Sequence, residues 1–156
     1  MGGRKLIFNR DSDGGIHAFF NNCPHRGALV SREREGNSKI FQCFYHAWTF
    51  NNCGELIGQP GSKEGGYPKE FNCDGAMNLK QVPRRENYRG FIFVNYDLNA
   101  ISLEEYLGNA KEFLDLVADQ SSIGMEVVGG SQHYSVRANW KLLSENSNWM
   151  RFANNW

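Results

Sequence analysis

Short runs of apolar, β-prone residues broken by turn residues fill the first two thirds of this chain, and a helical repeat of apolar positions follows them. Lys5–Phe8 and Ile16–Phe20 flank Asn9–Gly15, a turn-rich segment that predicts a hairpin. Lys39–Gln42 and Trp48–Phe50 predict two further strands, and Asn51–Gly54 turns the second of them towards Leu56–Ile57. Gln59–Asp74 is rich in Gly, Pro and charge and reads as a long surface loop. Met77–Val82 and Gly90–Tyr96 return to the β pattern, with Asn87–Gly90 as the turn before an apolar inner strand at Phe91–Val94. A helix is then expected from Ser102 to Asp119: Ser102 with Glu105 makes a capping box, and Leu103, Tyr106, Leu107, Ala110, Phe113, Leu114 and Val117 form an apolar stripe suited to packing. Met125–Val136 predicts another strand and Trp140–Glu145 the start of a second helix. The fold class is therefore mainly β, a small antiparallel domain over residues 1–98 followed by an α+β part over residues 99–156.

Composition narrows the partners. Seventeen basic and seventeen acidic residues cancel, so no net field favours nucleic acid or an anionic membrane. Hydrophobic residues at 40% are ample for a packed core, no apolar run is long enough to span a membrane, and Met1–Lys5 lacks the apolar centre of a signal peptide. A cytoplasmic location is expected. Of four cysteines, Cys53 and Cys73 lie in turn-like settings and read as free thiols of a reducing compartment.

The other two change the picture. Cys23 is followed by His25, Cys43 by His46, and seventeen residues separate His25 from Cys43. Two Cys and two His can hold a structural zinc, or a two-iron cluster in which His replaces Cys on one iron. Zinc motifs usually place a Cys pair in one loop and a His pair elsewhere. Here each loop is mixed, so the two thiolates can converge on an inner iron while the two imidazoles point at an outer one. Pro24 and Gly27 suit a tight loop, and Asn21–Asn22 can bond its backbone.

At this point the chain resembles a family. Cys23-x-His25-Arg26-Gly27, eight residues, Gly36-Asn37, five residues and Cys43-x-Tyr45-His46 are similar to the signature of the alpha subunits of Rieske-type aromatic-ring-hydroxylating dioxygenases, and the similarity runs from Arg4 to about Asn146. The family usually has Pro at the place of Phe44 and often Gly at that of Ala47; neither change removes a ligand. The resemblance implies a Rieske [2Fe-2S] cluster with Cys23 and Cys43 on the buried iron and His25 and His46 on the outer one. Arg26, Tyr45 and Trp48 are candidates for orienting those ligands, with plain aromatic packing an equal reading for Tyr45 and Trp48. It further implies a ferredoxin or reductase as electron donor, a trimer of alpha subunits commonly joined by beta subunits, and a second domain in which two His and a carboxylate hold a mononuclear Fe(II).

That second site is where the sequence departs from the pattern. Asn139-Trp140-Lys141 and Glu145-Asn146 match, but Trp149 stands in place of Asp, Arg151 in place of Tyr and Phe152 in place of the first His. The mononuclear-iron ligands are thus absent, and the chain alone is expected to lack hydroxylating activity. It reads as a fragment, with upstream strands missing and the catalytic domain barely begun; a two-nucleotide frame slip in the codons of Asn148–Arg151 would restore the acidic residue, which the gene sequence tests. His17 and His133 lie away from the signature and are assigned no role. Two rival readings stay open: a stand-alone Rieske electron carrier, and a zinc-stabilised β module with an interaction role.

Overall fold

The computed structural model describes residues 3–126, 129–130 and 135–145, and the chain forms two compact units, Met1–Gln120 and Ser121–Trp156. In the first unit the turn-flanked apolar runs pair as antiparallel strands. Strand β1 (Leu6–Arg10) pairs with β2 (Ile16–Phe20), with Ile7 opposite Phe19 and Asn9 opposite His17. Asp11 closes the hairpin by accepting the N–H groups of Asp13 and Gly15 on Oδ1, at 3.0 and 2.6 Å.

The second sheet, in the order β3 (Ile40–Gln42), β4 (Thr49–Asn51) and β5 (Leu56–Gly58), carries Phe50 at its centre. Phe50 and Phe19 are both fully buried, and with Ile7, Val30, Trp48, Leu79, Cys23 and Cys43 they form the core. Each ring so buried contributes about 1.5–3 kcal/mol. The β4–β5 turn is pressed onto this core at Gly54 (φ 86°), where a Cβ would lie 2.4 Å from the Phe19 ring.

Several expectations are corrected. Met77–Val82 is not a strand: it makes one bridge, Gln81 with Phe19, its Leu79 and Val82 N–H groups donate to the Gly54 and Ala18 carbonyls, and its Lys80 carbonyl accepts the Phe20 N–H. It works as a strap linking the first two sheets, because its N–H and C=O groups are divided between them. Conversely, Arg84–Tyr88 forms strand β6, paired with β7 (Phe91–Asn95). Its charges hid it; it alternates half-buried and exposed positions and uses its polar groups as ties. Glu86 accepts the Leu103 N–H at 3.0 Å, Arg84 donates to the Ala100 carbonyl, and Tyr88 donates to Asp115 at 3.0 Å.

The single expected helix is two, α1 (Leu103–Leu107) and α2 (Ala110–Ala118), broken where Gly108 takes φ 48°, ψ −128°, outside the helical region. Ser102 Oγ does accept the Glu105 N–H at 3.2 Å. The apolar stripe is packed only in part: Leu103 is buried, Leu107 and Leu114 are half-buried, and Tyr106, Ala110, Phe113 and Val117 are exposed. In the second unit residues 140–145 are helical, opened by Asn139, whose Oδ1 accepts the Lys141 N–H at 3.1 Å. Half of the strand expected over Met125–Val136 lies outside the described residues, and the described half (125–126, 129–130 and 135–136) is not in a strand; His133, Trp149, Arg151 and Phe152 lie outside the described residues. Among the described residues no helix is long and apolar enough to cross a membrane.

Candidate metal centre

Strand β2 runs into the first Cys–His loop, and β3 and β4 carry the second between them. The two loops share one backbone design. The Gly27 N–H donates to the Cys23 carbonyl and the Cys23 N–H to that of Ala28, both at 2.7 Å; the Ala47 N–H donates to Cys43 at 2.9 Å and the Cys43 N–H to Trp48 at 2.8 Å. This closed turn places the fourth residue after each cysteine at positive φ, 72° at Gly27 and 55° at Ala47. The histidine comes two residues after Cys23 but three after Cys43, so one scaffold presents its imidazole from two different positions. Asn21 anchors the first loop from beneath: its buried Oδ1 accepts Val30 and Ser31 N–H at 2.9 and 3.0 Å, and its Nδ2 donates to the Ser31 carbonyl at 2.7 Å.

The loops meet. Cys23 and Cys43 are buried free thiols. Burial chiefly, and then the neighbouring Cys43, pushes the Cys23 thiol up, opposed by the N–H groups of His25 and Arg26. A soft cation removes that penalty by binding the thiolates. The His25 and His46 rings lie 4.6 Å apart at 63°, His25 exposed and His46 half-buried. Burial chiefly, then the charges of His25 and Arg26, holds the His46 imidazole below its usual range, which favours the neutral form that ligates metals. The donor set is thus two sulfurs on the dry side and two nitrogens on the wet side, and it fits a cluster with two kinds of iron.

The three flanking candidates are brought to the same place. Trp48, 5% exposed, stacks parallel on His25 at 4.8 Å and 5°, so it packs in the core and contacts the imidazole at once. Tyr45 is exposed, its ring 3.9 Å from that of His46, and Arg26 is exposed in the first loop. The sequence reading missed two contributors from the long 59–74 loop: Phe71 meets Trp48 edge-on at 6.1 Å, and Tyr67, 4.6 Å from Phe71, lines the shallow depression over His25 and His46. The available signal was a pair of aromatic residues four apart in an otherwise polar loop. Cys53 and Cys73 are exposed free thiols, and His17 sits on β2 with its Nε2 hydrogen-bonded to Asp11 Oδ2 at 2.7 Å.

Known proteins resemble this chain in sequence and fold. The sequence profile of the Rieske [2Fe-2S] domain matches residues 1–85. The chain is 43% identical over 146 residues to the toluate 1,2-dioxygenase alpha subunit of Pseudomonas putida and 43% over 148 residues to the anthranilate 1,2-dioxygenase large subunit of Acinetobacter baylyi, covering 94% of itself in each case and 32% and 31% of those proteins. Its fold superposes on a crystal structure of naphthalene 1,2-dioxygenase from Rhodococcus sp. with a TM-score of 0.79 at 40% identity, over 92% of this chain and 32% of the other. A quaternary ammonium Rieske monooxygenase superposes over 74% of this chain and 32% of its own, with a TM-score of 0.63 at 29% identity. The chain thus spans about a third of the length of the curated relatives it matches. Two mixed Cys–His loops of one backbone design, closing over buried sulfur and set in a domain matched over more than half the chain, place it in the Rieske [2Fe-2S] family, as a homologue of the alpha subunits of aromatic-ring-hydroxylating dioxygenases.

Proposed function

We propose that this chain is the electron-accepting part of an aromatic-ring-hydroxylating dioxygenase, with Cys23 and Cys43 on the inner iron and His25 and His46 on the outer iron of its Rieske cluster. The observation that carries this reading is the pair of imidazoles 4.6 Å apart over two buried thiols, one of each from loops with the same hydrogen bonds. Held there, a Rieske cluster supplies a one-electron couple at a potential raised by the replacement of two thiolates with imidazoles. The chain's own part is to keep water from the sulfurs, through Trp48, Phe50 and Leu79, and to leave the His25 and His46 side open to a partner. Trp48 fixes the His25 ring by stacking, and the tilted Tyr45 ring bears on His46 at 3.9 Å. Arg26 adds positive charge that favours neutral His46 and a docking site for an acidic donor.

In this reading residues 1–98 form the cluster domain and residues 99–156 begin the catalytic domain of the whole protein. That protein takes electrons from a ferredoxin or reductase, assembles as a trimer of alpha subunits with or without beta subunits, works in the cytoplasm and hydroxylates an aromatic ring with dioxygen at a mononuclear iron. Iron, acid-labile sulfide and zinc analysis with an EPR spectrum of the reduced protein tests the site. Two irons, two sulfides and a Rieske signal are expected; zinc without sulfide overturns the proposal. Cys43→Ala and His46→Ala should each lose the spectrum, and Cys43→Ala should also loosen the domain, because metal binding and folding are coupled. A Rieske spectrum retained in either variant refutes the ligand assignment.

A further inference from the structure

Asp11, His17 and Cys53 come from the β1–β2 turn, strand β2 and the β4–β5 turn, and their metal-ligating atoms all lie within 4.8 Å of one another. His17 Nε2 is 2.7 Å from Asp11 Oδ2, and Cys53 Sγ is 3.9 Å from the same oxygen. The three are held in place from behind. Asp11 spends Oδ1 on the N–H groups of Asp13 and Gly15, which leaves Oδ2 to the other two. The His17 ring lies parallel to Phe19 at 5.7 Å, and Gly54, the residue after Cys53, abuts that same buried ring. Asn9 Nδ2 ties the hairpins together by donating to the Asn52 carbonyl at 2.8 Å.

Beside the cluster two buried atoms have no hydrogen-bond partner among the described residues, His17 Nδ1 and Asn9 Oδ1, and these residues are directly opposite in the β1–β2 ladder. When Nε2–H donates to Asp11, Nδ1 is a bare acceptor and the unpaired group on the opposing residue is an acceptor too, so neither can satisfy the other. A cation on Nε2 places the ring proton on Nδ1, which turns that buried atom from a bare acceptor into a donor on the side where Asn9 Oδ1 lacks one; a small side-chain shift joins them in the support a ligating histidine usually has. An imidazolium offers the same donor, and the experiment below separates the two.

We infer that Asp11, His17 and Cys53 form a mononuclear site for a zinc-class divalent cation, with water as the fourth ligand. One oxygen, one nitrogen and one sulfur suit a borderline ion and not calcium or magnesium, which take oxygen ligands. Tetrahedral zinc sets such ligand atoms about 3.3–3.6 Å apart, so the 2.7 Å separation of His17 from Asp11 opens by roughly 0.6 Å or more and the 3.9 Å separation of Cys53 from Asp11 closes by a few tenths of an ångström, while Cys53, exposed on a turn, swings towards His17 from within 4.8 Å. Asp13 and Glu55 add negative charge near Cys53, and among the described residues no Lys or Arg pairs with Asp11 or Asp13. On binding, the thiol proton leaves to solvent and the imidazole proton passes from Nε2 to Nδ1; no electron moves. The ion would clip the first hairpin to the second.

The site is independent of the cluster ligands, and one assay keeps the two apart. Cobalt(II) is titrated into the full chain carrying its iron and sulfide, in the oxidised state, whose cluster is EPR-silent. One equivalent is expected, with a high-spin cobalt EPR signal, a thiolate-to-cobalt absorption band in the difference spectrum, and unchanged iron and sulfide. Cys53→Ser should remove the band and weaken binding at least tenfold, His17→Ala should abolish uptake, and Cys73→Ser should change nothing. In the Cys73→Ser background, cobalt should also slow alkylation of Cys53 at least tenfold. No cobalt taken up by iron-replete protein, or the same band in Cys53→Ser, overturns the proposal and leaves His17 and Asp11 as a structural hydrogen-bonded pair.

Discussion

Exchanging the residues at the two matched positions of the ligand loops should move stability in opposite directions. Ala47 (φ 55°) and Gly27 (φ 72°) each stand four residues after a cysteine, in the same hydrogen-bonded turn, yet only one is glycine. The left-handed conformation costs an L-residue about 1–2 kcal/mol, while glycine's extra freedom in the unfolded chain takes back about 0.4–1 kcal/mol. Ala47→Gly should therefore stabilise the domain by about 0.5–1 kcal/mol. Gly27→Ala should destabilise it by a similar amount and no more, because a Cβ at Gly27 meets nothing within 4 Å, leaving the backbone as the only cost. With a urea slope of about 1–3 kcal/mol/M, the midpoints should shift by roughly 0.2–1 M, up for Ala47→Gly and down for Gly27→Ala. The measurement is anaerobic urea unfolding, followed by far-UV and visible circular dichroism. Shifts of the same sign, or a lowered midpoint for Ala47→Gly, would refute the claim that the loops share one strained position.

Gly54→Ala adds a Cβ 2.4 Å from the buried Phe19 ring at a φ of 86°; overpacking and the left-handed penalty together should cost about 2–4 kcal/mol, and an unaltered melting temperature would contradict this. Asn21→Ala leaves the Val30 and Ser31 N–H groups beneath the first loop without their acceptor, for a loss of about 1–3 kcal/mol; thermal melts with iron content alongside check it, and an unchanged melt speaks against Asn21 as the loop's anchor. The hydrogen bond from His17, aided by the N–H groups of Gly15 and Asp13 and opposed by burial, holds the Asp11 carboxyl below the usual carboxylate range. A depressed carboxylate stabilises the fold above its unfolded value, and that stabilisation is lost as pH falls through its folded value. In metal-depleted buffer, Asp11→Asn should flatten the acid side of the urea-midpoint profile; an acid limb as steep as that of the parent would be evidence against the pair.

Much of the site was legible because its chemistry is local. Cys23, His25, Cys43 and His46 announce themselves by residue type and spacing, and the turns around them carry Pro24, Gly27 and Gly54. What supports the site was less so. Residues 77–82 have strand composition but split their backbone bonds between two sheets, and no local pattern encodes that division. Arg84–Tyr88 is a strand written in charged residues, since its polar side chains bind the two helices, Glu86 at the start of α1 and Tyr88 at Asp115 of α2. The stripe from Leu103 to Val117 was correctly helical, yet Gly108 divides it, and a period alone does not say how far one glycine turns the next segment. Asp11, His17 and Cys53 lie far apart in sequence, so only the register of two hairpins brings them together.

The sheet order carries one more consequence. Cys23 hangs from the β1–β2 sheet and Cys43 from the β3–β4–β5 sheet, which share no strand pairing. The cluster proposed on these two cysteines would act as a reversible covalent cross-link around the 19 intervening residues, comparable in chain-entropy terms to a disulfide worth about 3 kcal/mol. Oxidative loss of iron would then remove one tie between the two sheets, leaving the 77–82 strap and the shared core to hold them, as well as end electron transfer. A domain damaged in this way becomes a better protease substrate, so the cell could clear inactive copies without a dedicated sensor.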